Sequence, residues 1–243
     1  MAQAIVFGTV AGSALFIGAV LATKLKLSQK IIASIMAFGS GVLICAVTFG
    51  LMEEAFNLGG FDAVILGFLS GGLVFIAGDW WLHKVGARKH KKIQLKSSDN
   101  NQSGRLITLG VILDNTPESI ALGIALFNGG ASGLLMMAAI FLSNVPESIS
   151  SVPGLIREGY NREKIYILWL SVGLSGIVLT ILSYLFLRDI DPNITGFLEA
   201  FAAGAILAML ADSMIPEAFA EGGFSVAMMT IFGFLTAFII SRV

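Results

Sequence analysis

The 243-residue sequence is short of most of what soluble chemistry uses. It has one cysteine, Cys45, so no disulfide can form within the chain, and a single thiol makes a poor metal site. Its only histidines, His83 and His90, fall in or beside the one long polar stretch, and a lone histidine cannot build a site. Charged residues make up 13%, about half the share of a soluble domain. There is no Walker-type glycine loop to bind ATP, so work driven by nucleotide hydrolysis has no sequence support. No lysine or arginine lies near the middle of any apolar run. What is present is 56% hydrophobic with a mean hydropathy of +0.87, the composition of an all-α polytopic membrane protein.

Runs of about 20 apolar residues, the length that crosses a bilayer as helix, fall at roughly 3–23, 31–53, 61–82, 105–127, 133–156, 164–187, 195–217 and 223–241. Eight spans are therefore expected in one transmembrane domain covering 1–243, with a flexible cytoplasmic loop at about 84–104 rich in Lys, then in Ser, Asn and Gln. With the N-terminus outside, the inner loops collect thirteen basic residues, Lys24 and Arg157 among them, and the outer side keeps Arg188 and Arg242. That bias places both termini outside the cytoplasmic membrane. The first run has its lysines after it and none before, which argues for a retained first helix against a cleaved signal.

The chain also repeats itself. Residues 37–61 align with 200–224 at nine of twenty-five identical positions, including Glu54/Glu217, Phe56/Phe219 and Gly59-Gly60-Phe61/Gly222-Gly223-Phe224. These copies occupy the second and seventh runs, an odd number of spans apart, and so cross the membrane in opposite directions. The expected architecture is an inverted-topology repeat: helices one to three mirror six to eight, with four and five central. Alternating-access transporters are built this way, with their sites near the midplane on interrupted helices.

A second repetition carries chemistry. Asp114-Asn115-Thr116-Pro117-Glu118-Ser119 and Ser143-Asn144-Val145-Pro146-Glu147-Ser148 lie inside the fourth and fifth runs. Ionisable groups at that depth cost roughly 2.5–3.5 kcal/mol each on insertion scales. Spacings of three and four put Asp114, Asn115 and Glu118 on one side of a helix, and Asn144 and Glu147 on one side of the next. Pro117 and Pro146 free the carbonyls of Leu113 and Leu142. With no cation nearby in the spans, the acids must either hold protons or be neutralised by a bound cation. Two carboxylates with amides and carbonyls suit a divalent metal, and an all-oxygen set leans toward Mn²⁺ or Mg²⁺ over Zn²⁺. Glu53, Glu54, Asp212 and Glu217, toward the ends of helices two and seven, read as waypoints on the ion's path. The many glycines are expected at close helix contacts, and methionines such as Met52, Met136, Met209 and Met214 as core filler.

Together these features resemble the ZIP (Zrt/Irt-like) family of divalent-metal transporters, as a divergent prokaryotic-type member. The resemblance covers nearly the whole chain: eight helices, outer termini, a variable loop after helix three, and a His-Asn-x-Pro-Glu-Gly motif on helix four with a related motif on helix five. It implies that Asn115, Glu118, Asn144 and Glu147 match metal-binding positions. Asp114 and Ser143 stand where the family has histidine, Ser119 and Ser148 where it has glycine, and helix six offers Ser171 and Ser175 where some members add an acid. The expected function is divalent cation transport (Zn²⁺/Mn²⁺/Fe²⁺ class) by alternating access through Asp114, Asn115, Glu118, Asn144 and Glu147, with Glu54, Asp212 and Glu217 along the path. The chain is not expected to be an enzyme or to need a cofactor; the metal is substrate. Its partners are the cation and the bilayer, with no nucleic acid, and a homodimer is compatible. Two other readings stay open: a proton- or sodium-coupled carrier of a small solute, and a metal sensor or scaffold without flux.

Overall fold

The computed structural model describes residues 1–25, 27–84, 103–126, 130–187 and 190–242. The loop expected at about 84–104 lies almost wholly outside them. The described chain is all helical: α1 (Ala2–Lys24), α2 (Gln29–Cys45), a π-helical segment π1 (Ala46–Met52), α3 (Glu53–Lys84), α4 (Ser103–Ala125), α5 (Gly130–Arg157), α6 (Arg162–Leu187), α7 (Pro192–Met209), a second π segment π2 (Leu210–Met214), α8 (Ile215–Gly222) and α9 (Ser225–Ile240). Among the described residues, five helical stretches are long and apolar enough to cross a membrane. Large apolar side chains face outward along α3 (Leu66, Leu69, Leu73), α6 (Ile167, Leu174) and α9 (Ile231, Leu235), while Asp114, Asn115, Glu118, Asn144 and Glu199 are buried. That inversion of the usual surface is what a hydrocarbon solvent selects. The protein is a polytopic, all-helical membrane protein.

The stretch from Gln29 to Leu82 is 54 residues of continuous apolar helix, about 80 Å at 1.5 Å per residue and far more than a bilayer core of about 30 Å. It breaks at Gly60, whose φ of 62° and ψ of −162° only glycine adopts readily. The end of the preceding helix runs antiparallel to α7: Gly196 lies against Ala55 O, and Asn193 O faces Gly59. Beyond the break α3 runs with α7, Gly67 against Phe197 O and Gly71 against Phe201 O. The chain has therefore turned back on itself. Gly223, with φ 60° and ψ −138°, makes the equivalent break between α8 and α9.

The correspondence extends to packing. A Cβ on Gly71 would run into Phe201 O, and one on Gly233 into Phe38 O; a Cβ on Gly204 would strike Phe68 O, and one on Gly41 Thr230 O. Phe38 and Gly41 correspond to Phe201 and Gly204 in the repeat, so α2 sits on α9 as α7 sits on α3. Shifted by the same 163 positions, π1 brackets π2. Where α1 crosses α6, Gly12 and Gly173 meet backbone to backbone, each occupying the space the other's Cβ would need. Helix α1 also packs on α5 and α4 on α6, giving one bundle of α1, α4, α5 and α6 beside a second of α2, α3, α7, α8 and α9. The bundles meet where α2 lies on α5 and α4 on α7.

Local signals explain the ends. Asp191 caps α7 by accepting the Asn193 N–H at 2.8 Å, with Pro192 in the first turn. Helix α5 closes at Gly159 (φ 83°), where Tyr160 N–H donates to Leu155 O at 3.1 Å and Gly159 N–H to Ile156 O at 3.0 Å, the paired bonds of a glycine C-cap.

Candidate metal-ion site

Pro117 and Pro146 are both accommodated within continuous helix, in α4 and α5. The carbonyl that Pro146 deprives of a partner, Leu142 O, is met by α2 at Gly39, where a Cβ would lie 2.9 Å away. Glycine lets the two backbones close over the motif, which fixes α2 against α5 at that height. Thr116 turns its hydroxyl back to Ile112 O at 2.6 Å, away from the acids.

Asp114, Glu118 and Glu147 line one narrow cavity together with Ser143. Its remaining wall comes from the other bundle: Met36 on α2, Met209, Ser213 and Met214 on and beside π2, and Glu217 on α8. The cavity holds about 10 Å³, roughly what one water molecule or one bare ion needs. Ser143 Oγ lies 3.2 Å from Glu118 Oε1 and 3.0 Å from Ile140 O, with one proton to share between them. Glu118 is 1% exposed and its Oε2 has no hydrogen-bond partner; the Asn144 amide is fully buried with neither Oδ1 nor Nδ2 paired. Buried carboxylate and amide oxygens in that condition are costly unless something binds them. Among the described residues, no three histidine, cysteine or carboxylate side chains are drawn together tightly enough to grip an ion as they stand.

The other expected residues are placed as follows. Asn115 is buried at the α4–α6 contact, where Ser119 Oγ donates to its Oδ1 at 3.5 Å and Gly176 makes room for its amide. Glu217 is on the cavity wall, Asp212 is half-buried in π2 one position before the wall residue Ser213, and Glu54 is half-buried where α3 begins. The two motif serines are handled alike: Ser119 tucks against Gly176 of α6, and Ser148 against Gly18 of α1. A glycine on the neighbouring helix thus supplies the space that the motif itself does not. Met209 and Met214, expected as filler, line the cavity, and Met36 and Ser213 join them unforeseen. A buried carboxylate at Glu199, outside both motifs, was not foreseen either.

The sequence profile of the ZIP zinc transporter family matches residues 82–241. This chain belongs to the ZIP zinc transporter family. The zinc transporter ZupT of Enterobacter sp. (strain 638) is 30% identical over 225 residues, 90% of this chain and 87% of that protein. The ZupT proteins of Shigella flexneri serotype 5b (strain 8401) and Escherichia coli O7:K1 (strain IAI39 / ExPEC) are each 29% identical over 228 residues, with the same coverage. ZIP membership makes the chain a multi-pass membrane transporter by family and not an enzyme, and it accords with acids gathered inside the helices.

Proposed function

We propose that this ZIP protein carries a divalent cation of the Zn²⁺/Mn²⁺/Fe²⁺ class across the cytoplasmic membrane by alternating access. One observation carries the reading: three motif carboxylates from α4 and α5 share a cavity sized for a single ion. That size also disfavours the solute-carrier alternative, since even a small organic solute needs several times about 10 Å³. Glu118 and Glu147 would bind the ion, with Asp114, Asn115 and Asn144 completing its shell as the helices draw in and the Asn115 amide turns from α6. Glu217, Asp212 and Glu54 would mark the path. The thioethers of Met36, Met209 and Met214 beside these oxygens are poor partners for Mg²⁺ and better ones for the transition metals. The ZupT relatives, named for zinc, point the same way.

In this reading the chain makes eight spans, the Gln29–Leu82 stretch supplying two of them. It is an inverted-topology repeat with both termini outside, supported by the mirrored glycine contacts and by the basic residues of the expected inner loops. The cavity then opens from the cytoplasmic half, since Met36 lies in the third turn of α2 and Glu217 near the end of the seventh span. The natural moving bodies are the two bundles, each drawing helices from both repeats, with the ion held on the α4–α5 side of their boundary.

The test is metal flux into proteoliposomes, comparing Zn²⁺, Mn²⁺, Fe²⁺ and Mg²⁺. Saturable uptake of the first three, weak uptake of Mg²⁺, and loss of both in a Glu118→Gln/Glu147→Gln double variant is the expected result. Metal binding without any flux in correctly inserted wild type would instead make the protein a sensor or scaffold.

A further inference from the structure

Glu199 has no place in the site described above, yet it is a fully buried carboxylate in the third turn of α7. A buried acid in an apolar span is costly enough to call for a purpose; among the described residues Glu199 and Asp79 are the buried acids that lie off the ion cavity. The repeat says what it corresponds to. Shifting by 163 positions, the register in which Gly41 matches Gly204 and Gly60 matches Gly223, brings Met36 onto Glu199.

Met36 is the α2 side chain that meets the acids in the cavity. It sits three residues before Gly39, the point where α2 touches α5 at Leu142 O. Glu199 sits three residues before Ala202, which packs in the same core as Leu113 of α4, and Leu113 is to the α4 motif what Leu142 is to the α5 motif. The same shift carries Ser213 onto Gly50 and Glu217 onto Glu54. Gly50 is buried, and a Cβ there would meet nothing within 4 Å. Space is therefore already present beside the helix at the mirrored position.

We propose that Glu199 is the carboxylate that meets the ion on the outward side of the Glu118–Glu147 centre, doing there what Met36 does on the inward side. This rests on the transporter reading and its orientation. When the bundles exchange their relation, the cavity walled by Met36, Ser213 and Glu217 closes and one walled by Glu199, Gly50 and Glu54 opens, each ending on the same acids. The two routes differ in charge. A carboxylate stands on the way in where a neutral thioether stands on the way out, so the ion is held more firmly when captured than when released.

The test measures uptake of Zn²⁺ and Mn²⁺ as a function of external concentration in proteoliposomes of one orientation. Glu199→Gln is expected to raise KM for external metal at least tenfold while leaving the maximal rate within about threefold; Glu199→Asp should stay near wild type. In a Cys45→Ala background, Gly50→Cys should react with a membrane-impermeant thiol reagent from outside, and external Zn²⁺ should protect it when Glu199 is present but not in Glu199→Gln. An unchanged KM in Glu199→Gln, or a Gly50→Cys that never reacts from outside during turnover, would overturn the proposal. Should Glu199→Gln fail to insert, the Gly50→Cys measurement with Glu199 intact decides alone. A wild type that moves no metal sinks the transporter reading itself, an outcome distinct from a wild type and a Glu199→Gln variant that transport identically.

Discussion

At the scale of single residues, the acids of the cavity separate stability from function. Glu118 is buried with one oxygen unpaired, so it costs the fold something while serving the ion. A buried carboxylate with an unpaired oxygen carries a desolvation cost that a neutral amide of the same shape reduces. Glu118→Gln is therefore expected to leave the melting temperature in detergent unchanged or higher, while metal flux falls at least about tenfold, the effect of losing ~1.4 kcal/mol of binding. A lower melting temperature with preserved flux would make Glu118 a structural residue. The motif acids could be read from sequence because proline beside an acid inside an apolar run has few structural uses. Met36 and Glu199 could not be read directly: methionine is common in cores, and a lone acid in an apolar helix gives no direction. What locates both is the register of the repeat, a signal present in the sequence but interpretable only once one copy has been seen at the cavity.

At the scale of elements, the positions of the helices follow from hydropathy, but their interiors do not. Nothing in the composition of Ala46–Met52 or Leu210–Met214 announces a π segment, because the change is a backbone register shift that packing imposes. The Gly-Gly-Phe turns, by contrast, are legible, since a positive φ at Gly60 and Gly223 demands glycine. Gly60→Ala and Gly223→Ala should each cost about 1–3 kcal/mol, read as reduced thermal stability in detergent. The close contacts make a matched pair: Gly71→Val and Gly233→Val should destabilise to a similar degree, about 1–3 kcal/mol or more, since each would drive a branched side chain into a backbone carbonyl. A large difference between the two would argue against equivalent halves. At the start of α7, hydrogen bonds from the Asn193 backbone and side chain hold the Asp191 carboxyl below the usual range for aspartate. The folded pKa lies below the unfolded one, so this stabilisation is complete above about pH 4 and is lost as pH falls through the lower value. An Asp191→Asn variant should accordingly lose part of the wild type's stability difference between pH 6 and pH 3, measured by thermal unfolding.

At the scale of the whole molecule, helices from both ends of the sequence are interleaved: α2 rests on α9 and α3 on α7, while α1 rests on α5 and α6. Neither sequence half forms a bundle by itself. This grouping is not legible in hydropathy, which orders spans along the chain but says nothing about which neighbours they choose in the membrane. The small residues hinted at close packing without naming partners.

The Gly12–Gly173 contact has a consequence for how such a protein came about and how it can be taken apart. In the inverted-repeat reading proposed above, α1 and α6 are corresponding helices of the two halves, and their contact at Gly12 and Gly173 is of the kind a homodimer makes across its own axis. Each helix pair inserts into the bilayer before it finds its neighbours, so the short link between Leu126 and Gly130 joins two partners that already recognise each other. Two separate polypeptides, 1–126 and 130–243, co-expressed in one cell, should assemble and restore metal uptake that neither supplies alone. The fused gene would then be a record of an older pair of oppositely inserted subunits, and the covalent join a convenience of expression rather than a condition of the architecture.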